Sequence, residues 1–187
     1  MFMNTKVETT SQVIMTKYNQ QQHNVNLKAF TSNNISDFME WATDDEVTKY
    51  MMWNSYTSSS EAEVFFTNVV EKHPWFKAIC LDEKVIGSLT LDKGKGAHNC
   101  KAELGYVLAR KYWGMGLVTQ AIKLALETGF KDLDVERIEA YVDPANIGSQ
   151  RVLEKNGFTK EGFLRNFVLQ KGILKDRLIY SFLKPNF

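Results

Sequence analysis

The stretch Arg110–Gly116 (RKYWGMG) constrains the fold most strongly, because its two glycines separate a strand-like run from a helix-like run. Lys101–Ala109 precedes it and predicts a strand, and Leu117–Phe130 follows it with apolar residues along one helical face. The first amides of a helix have no intrahelical partner, and the helix dipole adds positive potential there. Glycine lets the backbone approach a phosphate closely, and Lys111 or Arg110 can add a charge-assisted contact. The pattern predicts an anion site at the helix start, with a glycine-bearing turn before an ordinary helix as the alternative.

Three kinds of anion-binding loop can be compared with this stretch. A Walker A loop requires G-x-x-x-x-G-K-[ST], which does not occur in the sequence. A Rossmann loop requires glycine or alanine at position 119, which is Thr119. The pattern [QR]-x-x-G-x-[GA], which marks the acyl-CoA loop of GCN5-related N-acetyltransferases, fits best, and Lys111 is a conservative departure at its first position. A nucleotide-binding P-loop protein is therefore the least favoured reading.

Further motifs carry the same resemblance. Asn146–Phe158 reads NIGSQRVLEKNGF, Ala102–Tyr106 reads AELGY, and Tyr112–Gly116 reads YWGMG. With these segments the chain resembles the GCN5-related N-acetyltransferase (GNAT) superfamily along nearly all of residues 24–183. It looks most similar to the branch that includes the bacterial ribosomal-protein N-terminal acetyltransferases, which Asp44–Trp53, ending YMMW, also resembles.

The pattern of the whole chain predicts one domain over residues 23–187, preceded by a mobile polar tail over residues 1–22. The predicted fold class is α/β (mixed α+β): a mostly antiparallel mixed sheet with a splayed central strand pair and helices on both faces. The predicted elements are Val25–Phe30, Ile35–Ala42, Asp44–Tyr50, a helix that begins near Ser58 and ends at Pro74, Trp75–Leu81, Val85–Asp92, Lys101–Ala109, Leu117–Phe130, Arg137–Val142, Asn146–Asn156, Phe158–Arg165 and Ile173–Leu183.

The charge balance argues against some classes of partner. Lys and Arg number 23 and Asp and Glu number 22, so the net charge is +1 and gives no general attraction to nucleic acid or to an anionic membrane. No apolar run approaches the ~20 residues of a membrane span, and the N-terminus lacks the features of a signal peptide. We expect a cytoplasmic or nuclear protein, monomer or homodimer, without a nucleic-acid or membrane partner.

The two cysteines, Cys80 and Cys100, both fall in strand-like runs. The sequence contains no CxxC pair and no Cys/His cluster, so we expect no metal site. The two residues could form a disulfide, but two reduced and buried thiols are the favoured reading.

The resemblance implies acetyl-CoA as co-substrate. Its pantetheine arm would lie between the strands Glu103–Ala109 and Arg137–Val142, and Asn146 would hold the pantetheine amides, unless it only caps its helix. Arg151 and Lys155 could meet the 3′-phosphate or could simply be solvated. The expected cofactor-binding residues are Val107, Leu108, Ala109, Lys111, Tyr112, Trp113, Gly114, Met115, Gly116, Leu117, Asn146, Ser149 and Arg151.

Two residues are candidates for catalysis. Glu103 could accept the proton of the attacking amine, because a half-buried strand carboxylate has a raised pKa; a structural carboxylate is the alternative. Glu139 and Asp143 are weaker candidates for this role. Many relatives protonate the departing thiolate with a tyrosine on the Asn146–Asn156 helix, and Ser149 is the only hydroxyl there.

The acceptor pocket is expected to contain Trp53, Tyr50 and Glu103, although core packing is the simpler role for each aromatic residue. The predicted function is transfer of an acetyl group from acetyl-CoA to a primary amine, by direct attack in a ternary complex. The amine would be a protein N-terminus or a small molecule. The alternative is a CoA-binding module without turnover.

Overall fold

The computed structural model describes residues 24–185, so the predicted tail and the last two residues lie outside the described part. Seven strands form one sheet: β1 Val25–Ala29, β2 Phe76–Leu81, β3 Lys84–Lys93, β4 Lys101–Leu108, β5 Arg137–Val142, β6 Thr159–Gln170 and β7 Ile173–Leu183. Five α-helices accompany them: α1 Ile35–Ala42, α2 Asp45–Thr48, α3 Ser59–Phe65, α4 Leu117–Leu133 and α5 Ile147–Lys155. The predicted order of elements is confirmed.

The strand order in the sheet is β1-β2-β3-β4-β5-β7-β6. Every neighbouring pair is antiparallel except β4 and β5, which are parallel and connected through α4. A parallel pair requires a crossover, and the loop and helix after β4 provide it. The predicted fold class is therefore confirmed, including the mixed sheet.

Some element bounds differ from the prediction. Helix α3 continues as a π-helical turn over Phe66–Val70, so the predicted single helix has two parts. Strand β6 extends to Gln170 rather than ending at Arg165. Asn166 has φ +48 within an irregular stretch of the β6–β7 pairing, and its N–H donates to the Asp176 carboxylate at 2.8 Å. This local bulge interrupts the sequence pattern without ending the strand.

The sheet separates two hydrophobic cores, because alternate residues of a strand point to opposite faces. Leu89, Leu91, Leu104 and Leu108 pack with α4 and α5 on one face. On the other face, Ala78 and Cys80 of β2 pack with α1 and α3, and the aromatic rings of Phe38, Trp41 and Phe66 fill this core. Val107 of β4 also packs against this second core.

The cysteine prediction is half wrong. Cys80 is buried as expected, but Cys100 is exposed, and both thiols are free. Cys100 lies in the turn before β4 rather than in the strand itself. Between residues 24 and 185, no helix is both long and apolar enough to cross a bilayer.

Candidate active site

Strands β4 and β5 separate partway along their length. Their parallel pairing ends at Glu103 and Glu139, whereas β4 continues to Leu108 and β5 to Val142. Beyond Glu103, the edge of β4 that faces β5 has backbone groups that β5 does not pair. Such an edge can bind an extended ligand through backbone amides and carbonyls. The splayed strand pair therefore leaves a slot of the kind a pantetheine arm requires.

The loop after β4 ends at an open helix start. Gly114 has φ +78 and Gly116, the N-cap of α4, has φ +76, values that residues with a Cβ rarely adopt. A Cβ built on either glycine would meet no atom within 4 Å, so the space before them is free. No side chain caps the helix, which leaves its first amides directed at that space. The geometry is that of an anion site.

A cleft of about 610 Å³ runs from the helix start to the splayed strands. Most of the residues expected to bind the cofactor line it: Val107, Leu108, Tyr112, Trp113, Gly114, Gly116, Leu117, Asn146, Ser149 and Arg151. Three expected residues do not line it: Ala109, Lys111 and Met115. Ala109 is buried, and its N–H donates to the Ile86 carbonyl at 2.8 Å. We refer to this space as the cofactor cleft.

The two basic residues of the loop contact acidic residues instead of the cleft. The Lys111 ammonium lies 3.0 Å from the Glu40 carboxylate, and Arg110 Nε lies 2.8 Å from Asp44. Glu40 also pairs with Lys84 at 2.5 Å. The hydrogen bonds that Lys84 and Lys111 donate to Glu40 lower the pKa of its carboxyl, and the bond that Lys111 donates raises the pKa of Lys111. Lys111 is therefore held on the α1 side of the loop.

Three other cations line the cofactor cleft: Lys49, Arg151 and Lys155. Among residues 24–185, none of their side chains forms an ion pair. Arg151 and Lys155 lie one turn apart on α5, while Lys49 comes directly after α2. A polyanionic ligand in the cleft would meet these free charges rather than Lys111.

Asn146 and Ser149 lie together at the start of α5, as their spacing predicts. The Asn146 side-chain oxygen accepts a hydrogen bond from the Ser149 N–H at 3.1 Å, so Asn146 is the N-cap. This cap uses the oxygen and leaves the amide group of Asn146 available to donate into the cleft. The capping role and the ligand-binding role are thus compatible.

Sequence reasoning missed Tyr106. Its hydroxyl oxygen lies 2.6 Å from Ser149 Oγ and 3.3 Å from the Ser149 carbonyl oxygen. Burial raises the pKa of the Tyr106 phenol, so it stays protonated at neutral pH. Tyr106 belongs to the AELGY motif, but the motif by itself does not indicate that its hydroxyl reaches α5. The alternation of β4 was the available signal, because it turns Tyr106 to the face that α5 covers.

A second cavity of about 640 Å³ lies on the other face of β4. All three residues expected in the acceptor pocket, Tyr50, Trp53 and Glu103, line it. We call it the acceptor cavity. It meets the cofactor cleft at a junction, because six residues line both spaces: Tyr50, Met51, Tyr106, Val107, Asn146 and Ser149.

Glu103 faces the acceptor cavity, and part of its side chain is exposed there. Partial loss of hydration raises the pKa of its carboxyl, and the negative charges of Asp92 and Glu139 raise it further. Asp92 and Glu139 lie directly opposite Glu103 on the two neighbouring strands. A carboxylate with a raised pKa can accept a proton more readily than an ordinary glutamate.

The weaker candidates for the base, Glu139 and Asp143, already accept hydrogen bonds from the protein. Glu139 is buried, and it accepts hydrogen bonds from Lys101 at 2.7 Å, Arg137 at 2.7 Å and Tyr141 at 3.1 Å. These partners lower its pKa in spite of its burial. Asp143 accepts from the Ala145 N–H at 2.8 Å. Both carboxylates hold structure around the site.

A family model of the acetyltransferase (GNAT) domain matches residues 24–159, most of the chain. The chain belongs to the GNAT acetyltransferase family. Among its relatives, the uncharacterized N-acetyltransferase p20 of Bacillus licheniformis is 33% identical over 154 residues, which cover 79% of this chain and 86% of the relative. The putative ribosomal N-acetyltransferase YdaF of Bacillus subtilis is 34% identical over 86 residues, 46% of this chain and 47% of the relative.

A solved structure confirms the fold of the GNAT domain. Mycobacterium smegmatis RimJ, in complex with CoA-disulfide, superposes with a TM-score of 0.75 at 23% identity, over 85% of this chain and 81% of that one. At this identity the similarity shows the fold alone. As a GNAT domain the chain is an acyltransferase, and the resemblance drawn from the Asn146–Phe158 and Arg110–Gly116 motifs is confirmed.

Proposed function

We propose that this GNAT domain transfers the acetyl group of acetyl-CoA directly to a primary amine while both are bound. The observation that supports this proposal most directly is the junction of the cofactor cleft and the acceptor cavity. An amine in one space can reach a thioester in the other past Val107 and Ser149. Neither Cys80 nor Cys100 lines either space, so no thiol is placed to form an acyl-enzyme.

The residues of the cofactor cleft fit acetyl-CoA along its length. The amides at the start of α4 would hold the pyrophosphate, and Arg151 with Lys155 would hold the 3′-phosphate. The open edge of β4 and the Asn146 amide group would pair with the pantetheine. The backbone near Val107 and Leu108 would polarise the thioester carbonyl by donating hydrogen bonds to its oxygen.

The attacking amine must lose a proton, and Glu103 is the proposed acceptor. Glu103 and Val107 are four residues apart on β4, about 13 Å along the strand. Gly105 lies between them and contributes no side chain to the cavity floor. The carboxylate would therefore receive the proton through water in the cavity rather than by direct contact.

The departing CoA thiolate must gain a proton. Ser149 is proposed to donate a hydrogen bond to it and to relay a proton to it from water, because a serine hydroxyl is too weak an acid to supply that proton itself. The Tyr106 phenol has a single hydrogen, and we propose that it is donated to Ser149 Oγ at 2.6 Å, the shorter of the two contacts with Ser149. That arrangement leaves the hydrogen of Ser149 free to point into the cleft. Tyr106 then acts as a positioning residue, which fixes the direction of the serine O–H.

The test is a screen of amines and short peptides with acetyl-CoA, followed through release of the free thiol. The proposal expects acetyl-CoA-dependent thiol release with at least one primary amine, and acetylation of that amine by mass spectrometry. Thiol release without an acetylated amine would indicate hydrolysis and contradict the proposal.

The alternative of a CoA-binding module is distinguished by Glu103→Gln. The enzyme reading expects this variant to bind acetyl-CoA normally and to lose most turnover. If the unmodified protein binds acetyl-CoA but turns over no amine, and Glu103→Gln behaves identically, the binding-module reading is correct.

A further inference from the structure

Strand β3 places a row of polar side chains along the floor of the acceptor cavity. Ser88, Thr90 and Asp92 follow one another on one face of the strand, and all three line the cavity. Their partners on β4 are, in the same order, Val107, Gly105 and Glu103. The row therefore leads from the junction with the cofactor cleft, at Ser88, to a pair of carboxylates, at Asp92 and Glu103.

The hydroxyl of Ser88 is prepared for a ligand. Ser88 is only 6% exposed, and its Oγ makes no hydrogen bond within residues 24–185 although it lines the cavity. Such a hydroxyl can donate or accept a hydrogen bond with a ligand in the cavity. Thr90 Oγ1 lies 2.8 Å from the position that a Cβ on residue 105 would take. Gly105 therefore keeps the row open between its two ends.

The negative charge of Asp92 is not compensated by its neighbour His73. The Asp92 carboxylate lies 2.7 Å from His73 Nε2, while His73 Nδ1 accepts the N–H of Trp75 at 3.0 Å. A ring nitrogen that accepts an N–H carries no proton, so the imidazole is neutral and donates from Nε2. The contact with His73 thus orients the Asp92 carboxylate without neutralising its negative charge.

Glu103, opposite Asp92, also lacks an ion-pair partner within residues 24–185. Partial loss of hydration, followed by the negative charges of Asp92 and Glu139, raises the pKa of its carboxyl, and the nearby Lys101 offsets only part of this. The one cation that lines the acceptor cavity from these residues, Arg177, lies 3.7 Å from Asp143. Two adjacent carboxylates therefore remain at the end of the row without a positive partner.

These observations, taken with the proposed function, lead to a class of acceptor. We propose that the acceptor is a small chain-like amine with a second cationic group, and that Asp92 binds this group. The reacting amine would lie at the Val107 end, and the second cation about 13 Å away, the length of four strand residues. Ser88 and Thr90 would donate or accept hydrogen bonds along the chain. A cavity of about 640 Å³ is of the size that holds a small molecule.

The test compares two acceptors of equal chain length, diaminooctane and octylamine, at saturating acetyl-CoA. Asp92→Asn removes the charge and keeps an oxygen that can accept from His73. Asp176→Asn is the matched control, because Asp176 also accepts a single hydrogen bond, from the Asn166 N–H, and lies outside both cavities.

For the unmodified protein, we expect kcat/KM to be about tenfold higher with diaminooctane than with octylamine, the effect of one charged hydrogen bond. Asp92→Asn should remove most of this preference through KM, so that kcat/KM falls far more with diaminooctane than with octylamine, while Asp176→Asn should change neither. Equal use of the two amines, or an equal loss with both in Asp92→Asn, would overturn the proposal.

A binding measurement separates this proposal from the proposed function. Titration of each amine into the complex with CoA, by calorimetry, requires no turnover. Tighter binding of diaminooctane that depends on Asp92, in a protein without turnover, would support the acceptor class and reject the enzyme. Turnover of monoamines with no preference for the diamine would support the enzyme and reject the acceptor class.

Discussion

The Tyr106 hydroxyl lies 2.6 Å from Ser149 Oγ at the junction of the two spaces. The two residues are 43 positions apart in the chain, one on β4 and one on α5, and the fold brings them together through the α4 crossover. Ser149 alone is a weak proton donor, and a serine hydroxyl rotates freely unless a partner fixes it. The contact with Tyr106 supplies that partner at the point where the thiolate would leave.

The first prediction concerns Tyr106→Phe, which removes one oxygen and keeps the ring. Because Tyr106 acts through Ser149, we expect kcat to fall about tenfold or more, the effect of one hydrogen bond at the reacting group, while the Kd of acetyl-CoA stays the same. Steady-state kinetics together with calorimetry of acetyl-CoA binding measure both quantities.

A double-mutant cycle provides the control. Ser149→Ala should lower kcat at least as far as Tyr106→Phe, and the double variant should lose no more than Ser149→Ala alone, because the two residues act as one unit. Additive losses, or a matching rise in the Kd of acetyl-CoA, would show that Tyr106 supports the fold and not the serine.

The second prediction concerns the acid limb of the pH profile. Glu103 must be ionised to accept a proton, and its raised pKa moves this requirement to higher pH. We therefore expect kcat/KM to rise with pH through a pKa above the ordinary glutamate range. In Glu103→Gln this limb should disappear along with most of the activity. An unchanged limb in the variant would assign the titration to another group.

The same shift predicts how stability depends on pH. Between the ordinary pKa of glutamate and the raised pKa of Glu103, the folded state binds more protons than the unfolded state. The free energy of unfolding therefore falls as the pH rises through that window. Thermal unfolding should show Glu103→Gln more stable than the unmodified protein at neutral pH, with the difference lost below the ordinary glutamate pKa. A variant less stable at neutral pH would indicate a structural carboxylate.

Much of the fold was predictable because local patterns agreed with one another. The glycines near α4, the N-cap Asn146 and the alternation of β4 each fix a local conformation, and their order fixes the crossover. The two parts of the helix after Ser58 were not predictable, since a π-helical turn depends on tertiary packing rather than on periodicity. The same holds for the bulge at Asn166.

The electrostatics of the site were less predictable, because the partners are distant in sequence. Lys111 is paired with Glu40, 71 positions earlier, and nothing in the RKYWGMG motif indicates this. The exposure of Glu103 depends on how β3, β4 and β5 align, which sets the charges beside it. A motif specifies the backbone of a site well, but the charge on each side chain depends on the whole fold.

The fourth prediction separates the cations that bind the cofactor from those that do not. Arg151→Ala should weaken CoA binding about tenfold, the effect of a charge-assisted hydrogen bond, because Arg151 faces the cofactor cleft without an ion-pair partner among residues 24–185. Lys111→Ala should change the Kd by less than about threefold, since its ammonium contacts Glu40 on the surface.

Dephospho-CoA is the matched ligand for this test, because it lacks only the 3′-phosphate. If Arg151 binds that phosphate, the loss caused by Arg151→Ala should vanish with dephospho-CoA. An equal loss with both ligands would place Arg151 at another part of the cofactor, and a larger effect of Lys111→Ala would restore the contact that the sequence pattern predicted.

The last prediction concerns Gln170, which binds the backbone of Met51 beside the junction of the two spaces. Gln170 is 4% exposed; its amide group donates to the Met51 carbonyl at 2.9 Å, and its oxygen accepts from Arg177 at 2.7 Å. Gln170→Ala leaves these buried groups unpaired, so we expect the free energy of unfolding to fall by about 2–3 kcal/mol.

Because Met51 lines both spaces, Gln170→Ala should also raise the KM for the amine more than the KM for acetyl-CoA. Gln120→Ala, at an exposed position on α4, is the control and should stay within about 0.5 kcal/mol. A loss of stability without any change in KM would mean that Gln170 stabilises only the β6–β7 hairpin and does not position Met51 at the site.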